Sequence, residues 1–322
     1  MINTRVAVLR GGPSSEYEVS LVSGREVITA LKSLGYHVQD ITVSRSGEWL
    51  VDGRTKDPHH ALATADVVFI AMHGAYGEDG TVQRICERLH IPFTGSNSFA
   101  SAVAFNKDLT KRALRDHDIM MPKHVTITDR ERGSIDAIID SIGSMFGYDT
   151  VLKPLTSGSS HGIQMASDRE ALKSALETIL AATEAVMVEE RIRGTEATVA
   201  VLEDFRDYEH YALPPIEIVP PSEYGYFAAD VKYDGRTVEI CPGRFSYTQK
   251  ERLTNVATTV HKALGLTQYS RADFMLRGDD VYFLEVNTLP GFTPESLYPK
   301  AAGAVGLSFA ALVDHLVKTA RV

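Results

Sequence analysis

The sequence predicts an α/β protein of two or three domains, and three observations carry that expectation. A buried strand at Val6–Leu9 runs into a glycine turn, Gly11-Gly12-Pro13, and then into a helix. A second apolar strand, Asp66–Met72, again ends in a glycine-rich segment, His73 to Gly80, before a helix at Val82–Leu89. Strand, glycine turn and helix in succession point to a parallel sheet. The 322 residues also exceed a single domain at roughly 150 residues apiece.

Taken in order, Ser14 or Ser15 is expected to cap the first helix, whose apolar stripe is Val19, Val22, Ile28 and Leu31. Ligands of such sheets bind beyond the carboxyl ends of the strands, which places Ser14, Ser15, Glu16 and His73 at a candidate site. Glu16 is equally readable as stabilising a helix N-terminus, and His73 as a structural histidine. Pro92-Phe93-Thr94-Gly95 closes this part. Helices follow from Ser98 to His117; Lys107 lies within them and, alone, reads as a surface lysine. A linker, Asp116–Pro122, leads to a strand at His124–Ile127 and a helix near Ile135–Met145.

Thr150–Pro154 is a strand ending at Lys153, followed by the Gly/Ser loop Leu155–Gly162. Such a loop is either a plain hairpin tip or a cradle whose N–H groups and hydroxyls wrap phosphate oxygens. The lysine at its base favours the cradle, although it is not a Walker A loop. A helix at 168–182 precedes a strand at Ala185–Glu190, and Glu196 sits on the next strand beyond Arg193-Gly194. Tyr211–Pro221 reads as one strand. The long aperiodic stretch Ser222–Tyr247, with Asp230-Val231-Lys232-Tyr233 at its centre, reads as an active-site lid. A helix at 249–264 and a final amphipathic helix at Ser308–Thr319 flank the last hairpin.

That hairpin, Arg271–Leu297, is the most informative stretch. Its strands alternate apolar and polar positions about a bend at Gly278-Asp279-Asp280. Asp273 stands on the first strand, while Glu285 and Asn287, two apart, share a face of the second. Two carboxylates and an amide oxygen form a hard donor set suited to Mg²⁺ arriving on nucleotide phosphates. Arg271 shares the face of Asp273 and adds a fixed positive charge. The plain alternative is a solvated strand pair.

Composition excludes several classes. With 44% hydrophobic and 23% charged residues the chain has ample core material. A net charge of −9 argues against nucleic acid as the main partner but not against a phosphorylated ligand met by local cations. Cys86 and Cys241 give neither metal spacing nor a disulfide framework, which fits a reducing cytoplasm. The start carries too short an apolar run for a signal peptide, and no stretch approaches 18 apolar residues, so no membrane is expected. The eleven histidines show no zinc spacing, and His59-His60 reads as a solvated loop pair. G-x-G-x-x-G is absent, which excludes a typical nicotinamide oxidoreductase.

The ordered set GGPSSEYEVSLVSG, HGAYGEDGT, PFTGS, Asn106-Lys107, VLKPLTSGSSHGI, VEERIRGTEATVAVL, the VKY lid, SRADFML and LEVNTLPGFTPESL resembles the D-alanine-D-alanine ligases of the ATP-grasp superfamily. The resemblance spans essentially the whole chain. It implies a Rossmann-like N-terminal substrate domain at 1–96 and two ATP-grasp subdomains at 97–190 and 191–322, with nucleotide between them. It further implies that Lys107, Lys153, Lys232, Ser159 and Ser160 hold the ATP phosphates. The adenine would lie near Glu189 and the Glu190–Ile192 backbone, with Met275 and Leu284 packed on it, and Glu196 would take the ribose.

Asp273, Glu285 and Asn287 would bind two Mg²⁺ ions, with Mn²⁺ as an alternative. Arg271 and the Gly291 N–H would form an oxyanion hole. Glu16, with His73 nearby, would anchor the first D-alanine, and Ser296 and Leu297 the second. Glu16, Ser159 and Tyr233 would join when the lid closes, and Lys232-Tyr233 favours a peptide over a D-lactate ester. Departures from the pattern fall at Thr156-Ser157, His161 and Glu190-Arg191. The resemblance also implies a homodimer. Its alternatives are a ligase with another second substrate or a non-catalytic homologue.

Overall fold

The computed structural model describes residues 3–158, 162–221 and 236–322. The expectations placed on Ser159, Ser160, His161, Lys232 and Tyr233 lie outside these residues. Three sheets organise the described residues. The first has the order β4-β3-β2-β1-β5, formed by β1 (Arg5–Gly11), β2 (His37–Val43), β3 (Trp49–Val51), β4 (Arg54–Lys56) and β5 (Val67–Ile70). Here β1 pairs in parallel with both β2 and β5, as the strand-turn-helix reading predicts, while β3 and β4 extend the sheet antiparallel.

The helix after β1, α1 (Tyr17–Ser33), begins one residue past Glu16 and has no side-chain cap. This corrects the expected cap: the Ser14 hydroxyl instead accepts from Glu16 N–H at 3.1 Å and donates to the His73 carbonyl at 2.7 Å. His59 and His60 do not form a loop pair. They lie in α2 (Pro58–Leu62), where Asp57 accepts from His59 N–H and Pro58 supplies a preset first turn.

The second glycine segment opens α3 (Thr81–Leu89). The helical run beyond it divides into α4 (Ser98–Phe105) and α5 (Lys107–Ala113) because Asn106 leaves helical geometry and caps α5 with its side chain. The second sheet, order β6-β9-β7-β8, comprises β6 (His124–Thr128), β7 (Thr150–Pro154), β8 (Gln164–Ala166) and β9 (Ala185–Glu190). It is covered by α6 (Ile135–Phe146) and α7 (Arg169–Ala182), whose Ile139, Ile142, Leu176 and Ile179 form a core with Leu152 and Val188.

The third sheet is built on β10 (Thr195–Phe205). β14 (Tyr269–Arg277) and β15 (Asp280–Asn287) lie to one side of it. β11 (Tyr208–Ala212), β12 (Ile216–Val219) and β13 (Val238–Ile240) complete the sheet. The single strand expected at Tyr211–Pro221 is two strands, since Pro214 and Pro215 supply no N–H for a ladder. Part of the expected lid is likewise regular, because β13 pairs with β12 and Tyr247 opens α8 (Tyr247–Ala263).

α9 (Leu297–Ala304) and α10 (Phe309–Lys318) carry the chain back to the first sheet. Leu312, Val313, Leu316 and Val317 join the core of Val6–Leu9, and Tyr36 donates to Asp314 at 2.7 Å. Among the described residues no single helix is long and apolar enough to cross a membrane.

Candidate active site

The β14–β15 hairpin sets the site's floor. Arg271, Asp273 and Met275 alternate with the buried Ala272, Phe274 and Leu276, so the three face one way. On β15 strict alternation fails. Asp273 pairs with Glu285 but Phe274 pairs with Phe283, leaving Leu284 as an extra residue in a bulge. Leu284 and Glu285, though adjacent, therefore both line the same cleft. Like charges directly opposite, as Asp273 and Glu285 are, repel. The structure offsets this with Arg271, which donates to both Asp273 oxygens at 2.9 and 2.8 Å, and with Lys107, whose Nζ lies 3.2 Å from Glu285. Asp273 also accepts from Thr198 Oγ1 at 2.6 Å and from the Asn287 amide at 3.2 Å.

Lys107 is not a surface lysine. It is 7% exposed at the start of α5, and its Nζ also donates to the Ser157 carbonyl at 2.7 Å, holding the Gly/Ser loop to the hairpin. One turn on, Lys111 is buried and sits 2.5 Å from one Glu189 oxygen; Lys153 sits 2.7 Å from the other. Burial alone would raise Glu189, but the two lysines overcome it and hold the carboxyl down at about 2. Burial lowers Lys111, whereas Glu189 and Glu285 outweigh burial at Lys153 and raise it.

Lys153 and Glu189 line a cleft between the second and third sheets that takes in about 890 Å³ of space including open solvent. Ile192, Glu196, Met275, Leu284 and Leu297 share it with Lys153, Glu189, Glu190, Arg271 and Asp273. The Glu190 carboxylate is turned to Lys123 N–H, at 2.9 Å. A smaller cavity of about 350 Å³, lined by Glu78, Lys107, Ser157, Gly158 and Asn287, meets the cleft at Glu285.

The first sheet supplies the other wall. Glu16 is buried, and a Cβ on Gly158 or Gly74 would fall within 2.7 or 2.8 Å of its carboxylate; the positive φ of Gly74 independently favours glycine there. His73 is buried with Nε2 on the Ser23 hydroxyl and Nδ1 on the Leu289 carbonyl, each at 2.9 Å. Burial lowers it, so it is a neutral ring bracing the β15–α9 loop. Glu78 is pushed up to about 8, by burial first and then by the Glu16 charge; its oxygens accept from Gly74 and Leu289 N–H. In the β15–α9 loop Ser296 Oγ accepts from Thr293 N–H at 3.0 Å and lies where a Cβ on Gly291 would reach it.

Sequence reasoning missed three residues. Lys111 repeats the position of Lys107 one turn later, and Thr198 repeats that of Glu196 two residues on; those spacings were the available signals. Glu78 carried no signal beyond its place in the glycine segment.

The donors also fit a hard cation. Asp273, Glu285 and Asn287 converge with oxygen ligands, and turning the Asn287 amide presents its carbonyl where its NH₂ now points.

Comparison with known proteins identifies the family. The family model described as "D-ala D-ala ligase N-terminus" matches residues 5–62 and 52–96, and "D-ala D-ala ligase C-terminus" matches 113–318. A D-alanine-D-alanine ligase from Syntrophobacter fumaroxidans is 37% identical, over 98% of this chain and 97% of its own. Among solved structures, the VanG D-Ala:D-Ser ligase of Enterococcus faecalis is 31% identical with a TM-score of 0.84, covering 98% and 99% of the two chains. The D-alanine-D-alanine ligase of Bacillus anthracis complexed with ATP is 30% identical with a TM-score of 0.79, covering 98% and 97%. Family models and relatives thus cover the N-terminal sheet, the cleft at Lys153 and the acidic hairpin alike, and the chain belongs to the D-alanine-D-alanine ligase family.

Proposed function

We propose that the protein joins two D-alanine molecules into D-alanyl-D-alanine at the expense of ATP, supplying a precursor of peptidoglycan. The observation that carries this reading is the meeting of two cavities at Glu285. One is a cleft with the buried Lys153 and largely apolar walls, the other a small chamber where Glu78, Lys107 and Asn287 meet Ser157-Gly158. The cleft suits a nucleotide, with Met275, Leu284 and Ile192 against the adenine, Glu196 near the ribose, and Lys107 and Lys153 toward the phosphates. Ser159, Ser160 and Lys232 would complete the phosphate shell. Asp273, Glu285 and Asn287 would hold Mg²⁺, or Mn²⁺, which would neutralise the phosphate oxygens.

The carboxylate of the first D-alanine attacks the γ-phosphorus, giving an acylphosphate and ADP. The amine of the second then attacks the acyl carbon, and phosphate leaves. Glu16 meets the first substrate's ammonium, while Ser296 and Leu297 receive the second substrate's carboxylate. Arg271, fixed by Asp273, and the Gly291 N–H stabilise the tetrahedral oxyanion, each such donor contributing about 2.7–4 kcal/mol. Closure by Tyr233 onto Glu16 and Ser159 excludes water from the acylphosphate. We read residues 1–96, 97–190 and 191–322 as the substrate, phosphate-loop and metal-bearing units, working as a homodimer in the cytoplasm, where ATP is available.

Incubation with ATP, Mg²⁺ and D-alanine should give equal amounts of ADP, phosphate and dipeptide; no ADP release would favour a non-catalytic homologue. The likeness to a D-Ala:D-Ser ligase supports a second reading, with D-serine as the second substrate. Phosphate release with a panel of D-alanine, D-serine and D-lactate separates the readings, D-alanine alone being expected to support full turnover. D-alanyl-D-lactate formed in preference to the dipeptide at neutral pH would contradict the role given to Lys232-Tyr233.

A further inference from the structure

At the far end of β10, roughly 17 Å along the strand from Thr198, lies a second cluster of metal-ligating side chains. Glu203 on β10 pairs directly with His210 on β11, and His261 of α8 packs over both. Glu203 Oε1 is 3.2 Å from His261 Nε2 and 3.7 Å from His210 Nε2, and one donor atom from each residue lies within 4.8 Å of the others. Bonds of about 2.0 Å in a tetrahedral site place neighbouring donors about 3.3 Å apart. The two nitrogen–oxygen separations are already close to that edge length.

The surroundings have what such a site needs. His261 Nδ1 is bonded to the Ser270 hydroxyl at 2.8 Å, which fixes the ring with Nε2 inward. The second Glu203 oxygen is held by Gln268 N–H at 2.8 Å and by Arg321. Arg321 pairs with Glu203 and lies 3.6 Å from Asp204, while Glu209 lies 3.7 Å from His210 Nδ1, so three carboxylates surround the two imidazoles. Glu203 and His261 are buried, and His210 forms the more open edge through which an ion would enter.

We propose that Glu203, His210 and His261 bind one divalent transition-metal ion of the zinc class, with water as a fourth ligand, clasping α8 to the β10–β11 ladder. Two imidazoles and a carboxylate suit Zn²⁺ or Co²⁺ rather than Mg²⁺. No short spacing marks this site, because its ligands come from a strand, its neighbour and a helix.

The test is titration of metal-stripped, tag-free, full-length protein with Co²⁺ in the absence of nucleotide. One equivalent should bind with the intense visible absorption of four-coordinate Co²⁺, and Zn²⁺ should displace it. His210→Ala, at the open edge of the cluster, should weaken Co²⁺ binding at least tenfold and abolish the rise in Tm that Zn²⁺ gives the parent protein. Glu285→Gln should leave both unchanged. Co²⁺ binding that survives His210→Ala, or that is lost in Glu285→Gln, would overturn the assignment. So would absence of stoichiometric binding with Tm insensitive to Zn²⁺, leaving the cluster as a hydrogen-bonded brace.

Discussion

Replacing Lys111 with Met removes the cation 2.5 Å from Glu189 while keeping a side chain of similar length in a buried position. The Glu189 carboxyl is held at about 2 against an ordinary 4.5, a difference corresponding to roughly 3 kcal/mol of stability at neutral pH. Lys153 remains on the other oxygen and keeps part of that. Burial also disfavours the charged form of Lys111, and Met removes that penalty. Breaking an isolated buried pair costs about 3–5 kcal/mol. With one partner retained and one desolvation cost removed, we expect a loss of about 2 kcal/mol at pH 7, read from urea unfolding.

The sign of the pH dependence follows from the depressed Glu189 carboxyl. Its contribution is present above about pH 4.5 and is lost as the pH falls toward 2. The gap between parent and Lys111→Met should therefore narrow below pH 4.5. A variant as stable as the parent at pH 7, or a gap that widens in acid, would refute the reasoning and leave Lys153 as the sole partner that matters.

Other expectations rest on separate contacts. Glu285→Gln should abolish turnover while Tm moves by roughly 2–4 °C or less, since an amide oxygen still faces Lys107; substantial residual activity would remove the carboxylate from its metal role. Tyr233→Phe should uncouple ATP hydrolysis from dipeptide formation, measured as phosphate released per dipeptide; unchanged coupling would take Tyr233 out of the lock. At Gly194 a Cβ would fall 1.7 Å from the Leu276 carbonyl oxygen, so Gly194→Ala should cost about 3 kcal/mol by forcing β10 and β14 apart. An unchanged urea midpoint would show that the turn adapts freely.

What the sequence revealed follows from how local each signal is. Arg271, Asp273 and Met275 were legible because a two-residue period survives along β14. That the adjacent Leu284 and Glu285 line one cleft was not, because a bulge depends on the partner strand's register and leaves no mark in composition. Lys107 alone looked solvated and Lys111 went unnoticed because their burial is imposed by the hairpin and by β9, about 80 residues or more further on, which close over α5. The three-residue strands β3, β4, β8 and β13 are too short to show alternation. Pro214 and Pro215, by contrast, were in plain view and should have divided β11 from β12.

Everything in the proposed chemistry turns on Asp273, Glu285 and Asn287 meeting divalent ions against a triphosphate. Crystals grown with Mg²⁺ and a non-hydrolysable ATP analogue test this most directly. The account predicts metal density bridging these three side chains and the phosphates, with the Asn287 amide turned to present its oxygen. Phosphates bound elsewhere, or Asp273 and Glu285 still held by Arg271 and Lys107 with no metal between them, would contradict it.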